Sequence, residues 1–195
     1  MDAYVKNDLV YIPIQKCAST YYSNLVEHNG FDRTELYKIN PNTHKLIAFI
    51  LNPTTRFIKG LTEDLYYDYD AHPHELDFEK QALRANLLNI IQHDPNHLYL
   101  ADHNFPIHLR LTNLIPHITW IKITKDKSHH NHFLNICKQH NIDIANVEVN
   151  SNISNRSKLT LYNKLSNIFT EQYLLEHHLY KHLYAKDYEI YNSGR

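Results

Sequence analysis

"YIPIQKCASTYYSNLVEHNG", residues 11–30, passes from an apolar run to a helical pattern through a short polar turn. The run starts at Leu9 and is rich in β-branched and aromatic residues, which predicts a buried strand over 9–14. Gln15 and Lys16 interrupt it. Ser19 or Thr20 is the expected N-cap of a helix with apolar positions at Tyr21, Tyr22, Leu25 and Val26, and Asn29-Gly30 is a C-cap signal. A strand end followed at once by a helix start is a place where anions bind. The first amides of the helix lack partners within it, and the helix dipole adds partial positive charge. Lys16 contributes a full charge there, and Ser19 and Thr20 contribute hydroxyls. The plainer reading is a lysine stem lying along apolar surface beside a capped helix. The turn contains no glycine, so the G-x-x-x-x-G-K-[ST] phosphate loop is absent.

A second seam repeats the arrangement. "AFILNPTTRFIKGLTEDL", residues 48–65, reads as a buried strand over 46–51, an Asn52-Pro53 turn and a helix with apolar positions at Phe57, Ile58, Leu61 and Leu65. Arg56 and Lys59 are spaced i, i+3, so they are expected on one cationic face. Further on, the pattern predicts a loop over 66–73, a helix over 78–93 and a short strand or turn over 98–100. The loop Asp102-His103-Asn104 follows. Residues 118–123 alternate instead of running continuously, which predicts a strand near a sheet edge. Helices are expected over 133–140, 159–169 and 172–184, the last ending near Asp187, with a polar loop over 147–158. Strands separated by helices predict a single α/β domain, 1–195, built on a mostly parallel sheet flanked by helices.

Composition narrows the function classes. The 195-residue chain is long enough for a real core, 43% of it is hydrophobic, and its net charge is -1 with His neutral. No overall basic field points to nucleic acid or an anionic membrane, so any anion site is local. No run of 18 apolar residues predicts a transmembrane helix, and the first residues lack the pattern of a signal peptide; a cytoplasmic protein is expected. Two cysteines, Cys17 and Cys137, make no disulfide framework. The chain has only 3 glycines, against 16 histidines and 15 tyrosines. The one dense histidine cluster, His129-His130-Asn131-His132, reads as polar surface at a helix start, because no HExxH or CxxC spacing accompanies it.

Taken together, the two seams resemble the sulfotransferase superfamily that uses 3'-phosphoadenosine 5'-phosphosulfate. "IPIQKCASTYYSNL" is similar to the family's 5'-phosphosulfate loop, roughly I-P-K-x-[GA]-[ST]-[ST]-x-x-x-x-L. "LNPTTRFIKGL" is similar to its 3'-phosphate motif, roughly R-[DN]-P-x-x-R-x-x-S-x-[YF]. "LYAKDYEIY", residues 183–191, resembles an ending common among carbohydrate sulfotransferases. Leu51 stands where the family has arginine, Lys59 where it has serine, and Gln15 where many members have proline.

The resemblance implies a P-loop-like fold and a donor bound without metal. Lys16 would act on the leaving phosphate. Backbone amides of Cys17, Ala18, Ser19 and Thr20 would hold the 5'-phosphate, and Arg56 and Lys59 the 3'-phosphate. Arg156 and Ser157 would lie by the adenosine. His103, beside Asp102, would be the general base, with His44 second and Glu35 third. The partners would be the nucleotide donor and a hydroxyl acceptor, a glycan first, with no nucleic acid and no membrane. Alternatives are a nucleotide-binding module without catalysis and a small P-loop kinase, which would need the missing glycine turn. Cys17 beside a lysine at a helix start also has the setting of a reactive thiol.

Overall fold

The computed structural model describes residues 1–67, 103, 105–145 and 156–194. The helix expected over 78–93, the strand or turn over 98–100 and Asp102 lie outside them. The chain divides into two compact units. One comprises Met1–Asn52, Ile107–Ser151 and Tyr188–Arg195; the other comprises Pro53–Pro106 and Asn152–Asp187.

The first unit is built on a five-stranded sheet in the order β3-β1-β2-β4-β5. Its strands are β1 (Asp2–Lys6), β2 (Leu9–Ile12), β3 (Asp32–Glu35), β4 (Lys45–Ile50) and β5 (Ile118–Lys122). β2 and β4 are the apolar runs of the sequence, and all of β2 and most of β4 are buried. They pair in parallel, with Leu9 beside Lys45 and Ile12 beside Ala48, and β5 joins β4 in parallel from Leu46–Ile118 to Ile50–Lys122. The alternating strand 118–122 is thus at an edge, as its pattern predicts.

The other half of the sheet corrects the mostly parallel expectation. β1 pairs antiparallel with both β2 and β3, so the sheet is mixed. A two-residue turn, with Asn7 at φ 56°, folds β1 back on β2; asparagine tolerates that left-handed backbone. β3, Asp-Arg-Thr-Glu, is mostly exposed and carries charge along the outer edge, which discourages further strand pairing.

Helix α1 (Ser19–His28) follows β2 and ends as its Asn-Gly signal predicts. Gly30 adopts φ 76°, its N–H donates to the Glu27 carbonyl, and the Phe31 N–H donates to the Val26 carbonyl. This is a Schellman ending, with Val26 and Phe31 both buried. Within this unit Tyr22 of α1 stacks on Phe49 of β4 at 3.8 Å between centroids and 20° between planes. Phe133 packs against both rings. Such aromatic pairs add about 0.5–1.5 kcal/mol beyond the burial of their area.

The second unit is helical among its described residues. α2 (Pro53–Tyr67) begins at proline, as expected, and runs through Tyr66 and Tyr67, which the sequence reading assigned to a loop. In the first unit α3 (Ile107–Leu111) and α4 (Ser128–Gln139) flank β5 in the chain. α5 (Arg156–Ile168), α6 (Glu171–Glu176) and α7 (His178–Ser193) complete the order. α5 starts three residues earlier than expected and draws Arg156 and Ser157 out of the predicted polar loop. It packs on α2, where Lys158 forms an ion pair with Glu63 and lies over the Tyr66 ring at 5.9 Å. The single helix expected over 172–184 is two helices separated at extended His177, and α7 continues to Ser193. Phe57 sits edge-on to Phe169, Tyr180 and Tyr184, which form the aromatic centre of this unit.

Candidate anion site at the carboxyl edge

Parallel strands β2, β4 and β5 end on the same side of the sheet, the side where α/β folds bind ligands. The loop 13–18 leaves this edge from β2. Its N–H at Cys17 closes a turn on the Ile14 carbonyl at 3.0 Å. Lys16 at φ 62° and Ala18 at φ 57° are both left-handed. A residue with a Cβ costs roughly 1–2 kcal/mol in that conformation, and such strain tends to collect at functional loops.

Ala18, not Ser19 or Thr20, is the N-cap, and no side chain caps the helix. The turn on Ile14 swings Ala18 into the left-handed region, so the N-cap falls one residue before Ser19, the earlier of the two expected caps. The change of hand from Ala18 to Ser19 is of the kind that gathers consecutive N–H groups around an anion. The expectation for Cys17 changes in two ways. Its amide is engaged in the turn, and its side chain is 0% exposed within the core. A buried thiol in apolar surroundings is not a reactive one.

His44 does not join this loop. It precedes Lys45, the first residue of β4, and so lies at the amino edge of the sheet. The whole of β4, roughly 17–20 Å of strand, separates it from the carboxyl edge. There its Nδ1 contacts the Asn40 carbonyl at 3.1 Å and the Thr43 hydroxyl at 2.9 Å. Glu35 is likewise away from that loop, on β3, paired with Lys38 and accepting from the Tyr37 hydroxyl.

In the second unit, Arg56 and Lys59 do not share an environment. Lys59 is exposed, whereas Arg56 is 1% exposed and donates from Nη2 to the Phe105 carbonyl at 2.8 Å. Three residues of helix leave a 60° offset, enough here to turn one cation inward and the other out. Burial pushes the Tyr184 hydroxyl well above its usual range; the Arg56 charge opposes that shift and buried Asp187 adds to it. Arg56 and Asp187, the latter from the tail motif, thus both act on the Tyr184 hydroxyl. His103 is half-buried. Arg156 and Ser157 open α5.

The sequence reading missed a third seam. The loop 123–127 leaves the carboxyl end of β5 and starts α4 with left-handed Lys127 at its N-cap. Asp126 Oδ1 accepts from the Ser128 amide at 3.1 Å, an Asx turn that the spacing Asp-Lys-Ser signals. The side chains of Thr124 and Ser128 also bond to Asp126, and together these interactions lower its carboxyl to about 2. Among the described residues no group of three or more His, Cys, Asp or Glu could hold a metal, and no helix is long and apolar enough to cross a membrane.

No family model, curated protein or solved structure matches the chain.

Proposed function

We propose that the chain is a sulfotransferase that moves a sulfuryl group from 3'-phosphoadenosine 5'-phosphosulfate to a hydroxyl acceptor of the glycan class. The observation that carries this reading is the loop 13–18. A glycine-free turn holds Lys16 and Ala18 left-handed between a buried parallel strand and the amino end of α1. The order of the two strand–helix seams and their likeness to the donor motifs give that loop its ligand class.

In the reaction, the acceptor oxygen forms a bond to sulfur as the bond from sulfur to the 5'-phosphate oxygen breaks. Negative charge develops on that phosphate oxygen, and Lys16 neutralises it there. Amides at the start of α1, with Ser19 and Thr20, hold the 5'-phosphate. The acceptor proton passes to a general base, worth roughly 10²–10⁴-fold in rate.

A second reading is a module that binds the nucleotide without turnover. The inward-turned Arg56 favours it, because a guanidinium donating to the Phe105 carbonyl is engaged within its own unit. Calorimetric titration with 3'-phosphoadenosine 5'-phosphate, against AMP and ATP·Mg²⁺, separates the possibilities. The proposal expects the bisphosphate to bind selectively, and Lys16→Ala to weaken it. Equal or absent binding of all three nucleotides overturns the donor assignment. Selective binding with no sulfuryl transfer to an acceptor panel selects the second reading.

A further inference from the structure

We propose that His129 is an acid-sensitive latch that holds the start of α4 on the carboxyl end of β5, and that protonating its ring releases the first turn of that helix. The geometry is specific. The Thr124 N–H donates to His129 Nδ1 at 3.1 Å, and the Thr124 hydroxyl lies 3.2 Å from the same nitrogen. A backbone N–H can only donate, so Nδ1 must accept and the ring proton is assigned to Nε2. An imidazolium carries hydrogen on both nitrogens, so protonation sets Nδ1–H against Thr124 N–H and removes the bond. It also places a cation in the first turn of a helix, where the dipole disfavours it.

The surroundings act in the same direction, with one exception. Tyr22 of α1 and Phe49 of β4 face the ring at 6.4 and 6.1 Å between centroids. His130 on the same helix and Lys127 in the loop are cationic or able to become so, and among the described residues Asp126 in the loop is the opposing charge. Burial, then His130, lowers the His129 pKa below 6.5; Asp126 raises it and Lys127 lowers it. The folded state therefore resists a proton that the unfolded chain accepts. The latch contributes fully above about 6.5 and loses its contribution as pH falls through the folded value.

Opening has a route to α1. His130 Nδ1 lies 3.4 Å from the Tyr22 hydroxyl, and Phe133 packs on the Tyr22 ring. Tyr22 belongs to the helix that begins at the loop carrying Lys16. The latch does not depend on what that loop binds.

Long-range ¹⁵N spectra of the histidine rings, with amide exchange at Thr124, test this on the full chain between pH 8 and pH 5. The expected result is an Nε2–H tautomer for His129 at pH 8 and a ring titration below 6.5. Thr124 protection, corrected for intrinsic rate, should fall by up to about tenfold per pH unit from 6.5 down to the folded pKa and level off below it. His129→Asn keeps an acceptor that cannot titrate and should abolish the acid loss, whereas His130→Gln should retain it. A proton on Nδ1 at pH 8, a ring titration at or above 6.5, or an unchanged acid loss in His129→Asn overturns the proposal. The wild-type spectra decide the first two points even if the variant does not fold.

Discussion

The loops 13–18 and 123–127 leave the same edge of one sheet, on either side of β4, and both start a helix from a left-handed N-cap without a side-chain cap of that residue. They differ in how the helix start is treated. The second loop supplies Asp126 and Thr124, so the leading amide of α4, at Ser128, is met by a carboxylate from its own turn. The first loop has no acid to offer: the sequence contains none between Asp8 and Glu27. It adds Lys16 instead. A helix start that closes on itself needs no ligand, whereas one that carries a lysine beside its amides is suited to receive an anion. This contrast is why we propose a donor for one loop and a latch for the other.

Removing the floor under both seams should have the largest effect. Phe49 stacks on Tyr22 and also touches His129 and Phe133. Phe49→Ala should cost about 3–5 kcal/mol in urea unfolding, and a loss below 1 would mean the two seams do not share a packed base.

Next is the thiol at the first loop. Cys17→Ser introduces a hydroxyl into the core and should destabilise by about 1–3 kcal/mol, with bisphosphate affinity little changed. Native protein should not react with thiol reagents at Cys17 or at Cys137, whose thiol burial pushes up to about 12. Rapid labelling of Cys17 would restore it as a reactive group.

Acid unfolding sharpens the contrast at the second loop. The Asp126 carboxyl is depressed to about 2 from 3.8, so its contribution is full above 3.8 and disappears as pH falls through about 2. Asp126→Ala should lower Tm at neutral pH and flatten that part of the curve. Identical acid limbs for variant and wild type would show that the carboxylate does not secure the turn.

The smallest effect concerns strain. Ala18→Gly and Lys127→Gly relieve left-handed backbone and should each raise stability by up to about 1 kcal/mol in thermal unfolding. Loss of stability in either would place that residue outside the left-handed region.

The central strands were legible because burial on both faces demands continuous apolar runs, and edge strand 118–122 because one exposed face forces alternation. β1 and β3 were not. Their short, partly polar sequences become strands only because each finds a neighbour to complete its hydrogen bonds. The Lys16 loop was read from its neighbours in sequence, but its N-cap was not, since the hand of Ala18 depends on the turn at Ile14. The Thr124–His129 network carried a local signal in Asp126-x-Ser128, but the histidine cluster beside it reads as polar surface, and no spacing shows that one ring accepts from Thr124.

By itself the sequence determined an α/β chain with two apolar parallel strands, a cationic glycine-free turn at the end of one and a proline-started helix after the other. These follow from local patterns of burial and backbone preference. Tertiary structure alone decided that the sheet is mixed, that His44 lies at the far edge, that Arg56 turns inward while Lys59 stays out, and that His129 accepts from Thr124. Each of these depends on which segment packs beside which, and no spacing along the chain encodes that.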